Sequence, residues 1–209
     1  ATLWVSDYGD NAVQSIDTAT GSASAEIPVG SDPENVALTP DGRTLLVADQ
    51  GDNTLVPVGT ATGAVGKAIP AGDGPFDVVV TPDGQTAYVG DENASTVTPV
   101  DLATGTAEPA ITVHGGAPFG LTLTPDGTTL YVADNGGATV DVIDVATGTV
   151  EPPVTVGSGP TWIAFSPDGG TAYVCVTGSN TLLPVDATST QPGTPVPVGQ
   201  FPIAAVTVP

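Results

Sequence analysis

Gly115–Val156, GGAPFGLTLTPDGTTLYVADNGGATVDVIDVATGTVEPPVTV, is the stretch from which the rest of the chain can be read. It holds four runs rich in Val, Leu, Ile, Thr and Tyr, each bounded by a turn signal. Gly115-Gly116-Ala117-Pro118 leads into the first run and Pro125-Asp126-Gly127 ends it. Asp134-Asn135-Gly136-Gly137 follows the second run and Ala146-Thr147-Gly148 the third. Proline presets φ, glycine accepts φ > 0, and Asp and Asn bond their own backbone, so each signal reverses the chain. The runs have strand length and no helical period.

The pattern recurs along the whole chain. The prolines that close Gly-x-x-Pro fall at Pro33, Pro75, Pro118, Pro160 and Pro202, at spacings of 42, 43, 42 and 42. Pro-Asp-Gly follows the first four, at Pro40, Pro82, Pro125 and Pro167. Ala-Thr-Gly closes at Gly21, Gly63, Gly105 and Gly148, and the fifth copy has drifted to Ala187-Thr188-Ser189-Thr190. In the copy around Asp77 the strands are expected near Asp77–Thr81 (A), Thr86–Gly90 (B), Thr96–Val100 (C) and Ala110–Val113 (D). Four antiparallel strands in about 42 residues is the size of a propeller blade. A sheet with two apolar faces cannot stand alone, so neighbours must cover it.

Thr2–Asp7 reads as a strand B and Pro202–Pro209 as a strand A. The expectation is one all-β domain over 1–209, a five-bladed β-propeller of four-stranded antiparallel blades. Pairing of the C-terminal strand with the N-terminal hairpin would close it and remove an exposed edge.

Asp and Glu number 23 against Arg43 and Lys67 alone, a formal net charge of −21. Such a field repels phosphate backbones and anionic membranes, which disfavours nucleic-acid binding. The acidity reads first as solubility and edge protection, with adaptation to high salt as an alternative. Cys175 is the only cysteine and sits in the apolar run Tyr173–Val176, where it reads as a small buried hydrophobe. No apolar run reaches 18 residues, so no membrane span is expected. A start at Ala1 without Met reads as a processed or trimmed product, and an extracellular or cell-surface location is the expectation.

Tyr131-Val132-Ala133-Asp134-Asn135, the Thr139–Gly148 stretch, Val154–Gly157 and Ser166-Pro167-Asp168-Gly169 resemble the YVTN-type propeller repeat, a relative of NHL-type repeats. The resemblance covers the whole chain and is weakest in the last copy. It implies a β-propeller and leaves activity open, since propellers host binding, lyase, hydrolase and cell-surface roles. Two departures stand out: five copies where many relatives have seven blades, and Asp7, Asp49, Asp91 and Asp134 where the family often ends strand B in Asn. Thr177 is the fifth equivalent.

The B–C turns and D–A connections are expected to share the ligand face. One position after the repeat proline the copies read Glu34, Phe76, Phe119, Thr161 and Ile203; two after, Asn35, Asp77, Gly120, Trp162 and Ala204. Variation inside a kept framework marks Glu34, Asn35, Phe76, Asp77, Phe119 and Trp162 as candidate ligand-binding residues, since small-ligand sites join polar groups to aromatic walls. His114, the only histidine, is the candidate catalytic base or acid. Asp49, Asp77 and Asp91 are candidate ligands of a divalent cation, calcium or magnesium, although the aligned Asp residues read first as turn caps. The Asp of Pro-Asp-Gly and the series Asp17, Asp101, Asp144 and Asp186 read as structural.

The function expected is a monomeric binding module for a small molecule, sugar or peptide. The alternatives are a metal-assisted enzyme resembling propeller lyases and lactonases, and a cell-surface structural or interaction protein. Against an enzyme, no Ser/His/Asp motif and no metal-spaced His cluster is present.

Overall fold

The structure, a computed structural model, describes residues 1–207. Among them every regular element is a strand. The chain divides into two compact units: Ala1–Asn93 with Thr98–Pro109, and Ala94–Val97 with the residues from Ala110 on.

The first unit begins with a sheet of β1 (Thr2–Asp7), β2 (Ala12–Asp17), β3 (Ser22–Ala23) and β4 (Ile27–Pro28). The second sheet is β5 (Pro33–Leu38), β6 (Thr44–Asp49), β7 (Thr54–Gly59) and β8 (Ile69–Pro70). The third starts with β9 (Pro75–Val80), β10 (Thr86–Asp91), β11 (Thr96–Asp101) and β12 (Thr106–Ala107). Strand β11 runs across the division, and its first residues, Thr96 and Val97, pair with β13 (Ile111–Thr112) in the second unit. The second unit continues with β14 (Pro118–Leu123), β15 (Thr129–Asp134), β16 (Thr139–Asp144) and β17 (Val154–Thr155). Its last sheet is β18 (Pro160–Phe165), β19 (Thr171–Val176), β20 (Thr181–Asp186) and β21 (Val196–Pro197). The sheets run in the order A-B-C-D, as in β5-β6-β7-β8.

Side chains alternate across a strand, and the alternation sorts β6 between two cores. Leu45 and Val47 pack with Val13, Val56 and Val58, with Trp4 and Ile27 at the margin. Leu46 and Ala48 point the other way and pack with Leu55, Ile69, Val78, Ala87, Val89 and Val100. The second sheet is thus covered on one face by the first sheet and on the other by the third. In the second unit one cluster joins the fourth and fifth sheets, from Tyr131, Val140 and Val154 to Ile163, Phe165, Val174 and Val185. Cys175 is buried in this apolar setting, as its sequence context implied, and burial pushes its thiol up.

One expectation changes. Strand D shrinks to pieces of two residues, one in the second, fourth and fifth sheets and two in the first and third; Pro109, Pro152, Pro153 and Pro195 beside β13, β17 and β21 remove amide donors at an exposed edge. In the first sheet β1 pairs with β2, and the outer strand is split into β3 and β4. Residues 202–207 lie along β18, where the Thr161 hydroxyl donates to the carbonyls of Pro202 and Ile203 and the Thr207 hydroxyl to that of Phe165. Val208 and Pro209, the end of the expected strand, lie outside the described residues.

The fourth and fifth sheets approach closely where Gly120 of β14 lies against β18. A Cβ there would meet the Thr161 carbonyl oxygen at 2.3 Å. Gly120→Ala is expected to destabilise the protein by about 1–3 kcal/mol through backbone displacement. Urea denaturation measures this, and an unchanged midpoint would contradict the close approach.

Candidate functional site

The turns at one end of the sheets are held by their own side chains. In each Pro-Asp-Gly turn, Oδ1 of Asp41, Asp83, Asp126 or Asp168 accepts from the hydroxyl of Thr39, Thr81, Thr124 or Ser166 at 2.5–2.7 Å. The same oxygen accepts from the amide two residues on. These bonds, the hydroxyl first, hold the four carboxyls below their ordinary range. Asp17, Asp101, Asp144 and Asp186 likewise accept from amides of the turn that follows them. Both series are structural.

The opposite end carries the B–C turns and D–A loops. Asn11, Asn53, Ser95, Ala138 and Asn180 take left-handed φ at the end of each B–C turn. The carboxamide oxygens of Asn11, Asn53 and Asn180 accept from the amides of Asp32, Gly74 and Phe201 at 2.8–2.9 Å, tying each turn to the D–A loop beside it. Strand A then begins with a β-bulge, at Glu34-Asn35, Phe76, Phe119 and Thr161. The varied position one residue after the proline is therefore bulged, while Asp77, Gly120 and Trp162 at the next one pair in register, and bulges re-aim side chains beside functional sites.

The Asp residues that end strand B have three environments. Exposed Asp7 accepts from the amides of Gly9 and Asp10. Asp91 is fully buried and accepts from the Gly72 amide at 3.1 Å and the Thr98 hydroxyl at 2.6 Å. Asp49 is also fully buried, yet neither carboxyl oxygen has a hydrogen-bond partner. The residue seven places on explains the difference: Thr98 after Asp91, Val56 after Asp49. Burial, with Asp52 nearby as a lesser cause, raises the Asp49 carboxyl to about 7.

In the fourth sheet the residue seven places after Asp134 is a second carboxylate, Asp141, also fully buried. Burial first, then Asp141, holds the Asp134 carboxyl well above the usual range, while the Thr139 hydroxyl donates to it. Asp141 in turn grips the only histidine. It accepts from the His114 amide at 2.5 Å and lies 2.8 Å from His114 Nδ1. The imidazole is half exposed on the D–A loop, with Asp141 wholly beneath it. With the proton on Nδ1, Nε2 is left as an acceptor.

The remaining candidates sort by unit. In the first, Glu34 is half-buried and its carboxyl is raised by burial, then by Glu92 and Asp32. Asp32 also acts on the Tyr8 phenol, and the Gln50 carboxamide donates to Glu92 at 3.1 Å. Asn35 and Phe76 are half-buried, and Asp77 is buried with Oδ1 accepting from the amide of Val78. In the second, Phe119 and Trp162 are half-buried on β14 and β18. Of the three metal candidates, Asp49 ends strand β6, and Asp77 and Asp91 lie on β9 and β10. Among the described residues no three His, Cys, Asp or Glu side chains are grouped as a metal would need. Asp141 was not among the sequence candidates; its signal was a carboxylate in strand C where the other copies have Gln14, Val56, Thr98 and Pro184.

No family model and no curated protein sequence matches the chain. Solved structures do. Hydrazine synthase of Kuenenia stuttgartiensis is similar with a TM-score of 0.76 at 20% identity, over 98% of this chain and 86% of that one. Virginiamycin B lyase of Staphylococcus aureus is similar with a TM-score of 0.84 at 16% identity, over 97% of this chain and 69% of that one. The catalytically inactive histidine-to-alanine variant of that lyase, with quinupristin, gives 0.78 at 14% identity, over 94% and 66%. These are β-propeller proteins of repeated antiparallel blades, and likeness at this identity establishes the fold: all-β, with five propeller blades.

The Asp49 environment has a consequence for stability. Its folded value lies above the roughly 3.9 of an unfolded Asp, so the folded state holds the extra proton between them. Stability is then lost as pH rises from about 4 through 7, and Asp134 adds in the same direction. Val56→Thr supplies the donor that Thr98 gives Asp91 and favours the ionised form. Its gain is expected to be about 1 kcal/mol greater at pH 8 than at pH 4.5. Urea titrations at the two pH values measure it; an equal effect at both would refute the assignment.

Proposed function

We propose that the chain is a ligand-binding β-propeller module of the YVTN type, which recognises a small molecule, sugar or peptide with its B–C turns and D–A loops. The observation that carries this reading is the His114–Asp141 pair. A fully buried carboxylate fixes the one histidine by both its amide and Nδ1, and leaves Nε2 directed to hydrogen-bond from a loop surface. One Asp141 oxygen holds the D–A loop through the His114 amide, as Asp91 holds the Gly72 amide; the other is left to orient the imidazole. Half-buried Phe119 and Trp162, at or next to the bulges that open β14 and β18 in the same unit, supply the aromatic area such a site uses.

A second reading uses the same pair for proton transfer. A carboxylate on Nδ1 fixes the tautomer and orientation of an imidazole, the arrangement that suits a general base. The similar Staphylococcus aureus lyase loses activity in a histidine-to-alanine variant, by its description. The chain's residues offer no grouped metal ligands among those described, so the metal-assisted form of this reading has less support than binding.

The test is a thermal-shift screen of small molecules, sugars and short peptides, with calcium, magnesium and manganese in separate arms after EDTA treatment. A ligand of the folded state raises the melting temperature by mass action. The expected result is a saturable shift whose affinity His114→Ala reduces at least tenfold, read against the variant's own unliganded melting temperature, which falls because buried Asp141 loses a partner. Shifts that persist unchanged in His114→Ala and Trp162→Ala would reject this surface as the site. A cation-only shift lost in His114→Ala would move the reading to the metal-assisted enzyme.

A further inference from the structure

The first unit also contains a cleft of about 640 Å³ at the Pro-Asp-Gly end, far from the loops discussed above, between the second and third sheets. Its size falls within the roughly 300–1,000 Å³ of small-molecule sites. Its floor is Leu46, Pro57, Ile69 and Leu102. Two contacts between the sheets bound it: Pro40 against Gly84, and Ile69 against Gly105.

The repeat supplies the comparison that explains the cleft. Leu46 is the third residue of strand B. The same position holds Trp4, Tyr88, Tyr131 and Tyr173 in the other sheets, so the second sheet alone is aliphatic there. Between the fourth and fifth sheets, Tyr131 fills the corresponding space. It is 1% exposed, stacks edge-to-face on Phe165 at 5.1 Å, and its hydroxyl donates to the Ala187 carbonyl oxygen at 3.1 Å. In the first unit Val80 stands where Phe165 does, so both rings of that pair have become small. The acceptor is kept. Leu102 occupies the place of Ala187, and its amide donates to the Gln85 carbonyl at 2.9 Å as the Ala187 amide does to Gly170 at 3.0 Å. The carbonyl oxygens of Leu102 and Ala187 are therefore presented by the same backbone arrangement.

We propose that this cleft binds a small phenol-class molecule, whose ring takes the place of the missing strand-B aromatic over Leu46 and whose hydroxyl donates to the Leu102 carbonyl oxygen. The apolar floor accounts for ring binding and the carbonyl for the hydroxyl. The site is separate from the His114 surface, so either can fail without the other.

The probes are p-cresol, the tyrosine side chain as a free molecule, and toluene, which lacks the hydroxyl. Thermal shift and methyl NMR on the intact chain are expected to show saturable p-cresol binding that perturbs Leu46, Ile69 and Leu102. Toluene should bind about fivefold more weakly for want of one hydrogen bond. Leu46→Tyr should abolish p-cresol binding and raise the unliganded melting temperature. Should Leu46→Tyr fail to fold, Thr104→Trp at the exposed rim blocks the cleft without touching the core, and p-cresol affinity should fall at least fivefold. Absence of saturable p-cresol binding, or binding unchanged in these variants, overturns the site. Equal affinity for toluene and p-cresol overturns the phenol assignment.

Discussion

Each sheet in this protein is apolar on both faces, and everything else follows from the need to cover them. Strand β6 shows the constraint at its strongest: Leu45, Leu46, Val47 and Ala48 are all buried, and successive residues belong to different cores. A two-layer protein would leave one of these faces in water. Stacking of further copies is the economical answer for a chain built from one repeat. Glycine enters where sheets meet closely, as at Gly120 against Thr161, and where a turn needs positive φ, as at Gly105.

Such packing drives the ends of strand B into the interior, and there the polar chemistry is decided one residue at a time. The same aspartate is exposed at Asp7, satisfied at Asp91, unpartnered at Asp49 and paired with a second carboxylate at Asp134. Nothing in the residue itself distinguishes these cases. The strand-C residue seven places on does: a threonine donates, a valine cannot, and an aspartate turns the pocket into an anchor for His114.

That dependence explains how much could be read beforehand. The strands and turns were visible because period-2 alternation and Gly/Pro punctuation are local signals, and the repeat supplies four or five readings of each. The roles of the Pro-Asp-Gly aspartates and of buried Cys175 follow from the same local logic. Glu34, Phe76 and Phe119 were found from their variability, while their bulged geometry was not encoded in any motif. Asp141 was missed because a single carboxylate in a strand-C run looks like an outward-facing residue until the partner strand is known.

Repeats also give a stricter test of function than a lone sequence does. In a family of near-identical blades the common residue is the structural solution, and a departure that weakens packing without local compensation calls for another cause. Drift at Ala187–Thr190 changes an exposed turn and disturbs no core. Leu46 and Asp141 are different in kind. Leu46 removes a buried ring and opens a cleft beneath an acceptor that its sister blade satisfies with a tyrosine hydroxyl. Asp141 adds a buried charge where the neighbouring copies keep Val56 or Thr98, and its compensation is the fixed orientation of a half-exposed imidazole. Both lie on strands, where the frame is rigid, and both act on groups at the surface; that combination is what a binding site built on a stable scaffold requires.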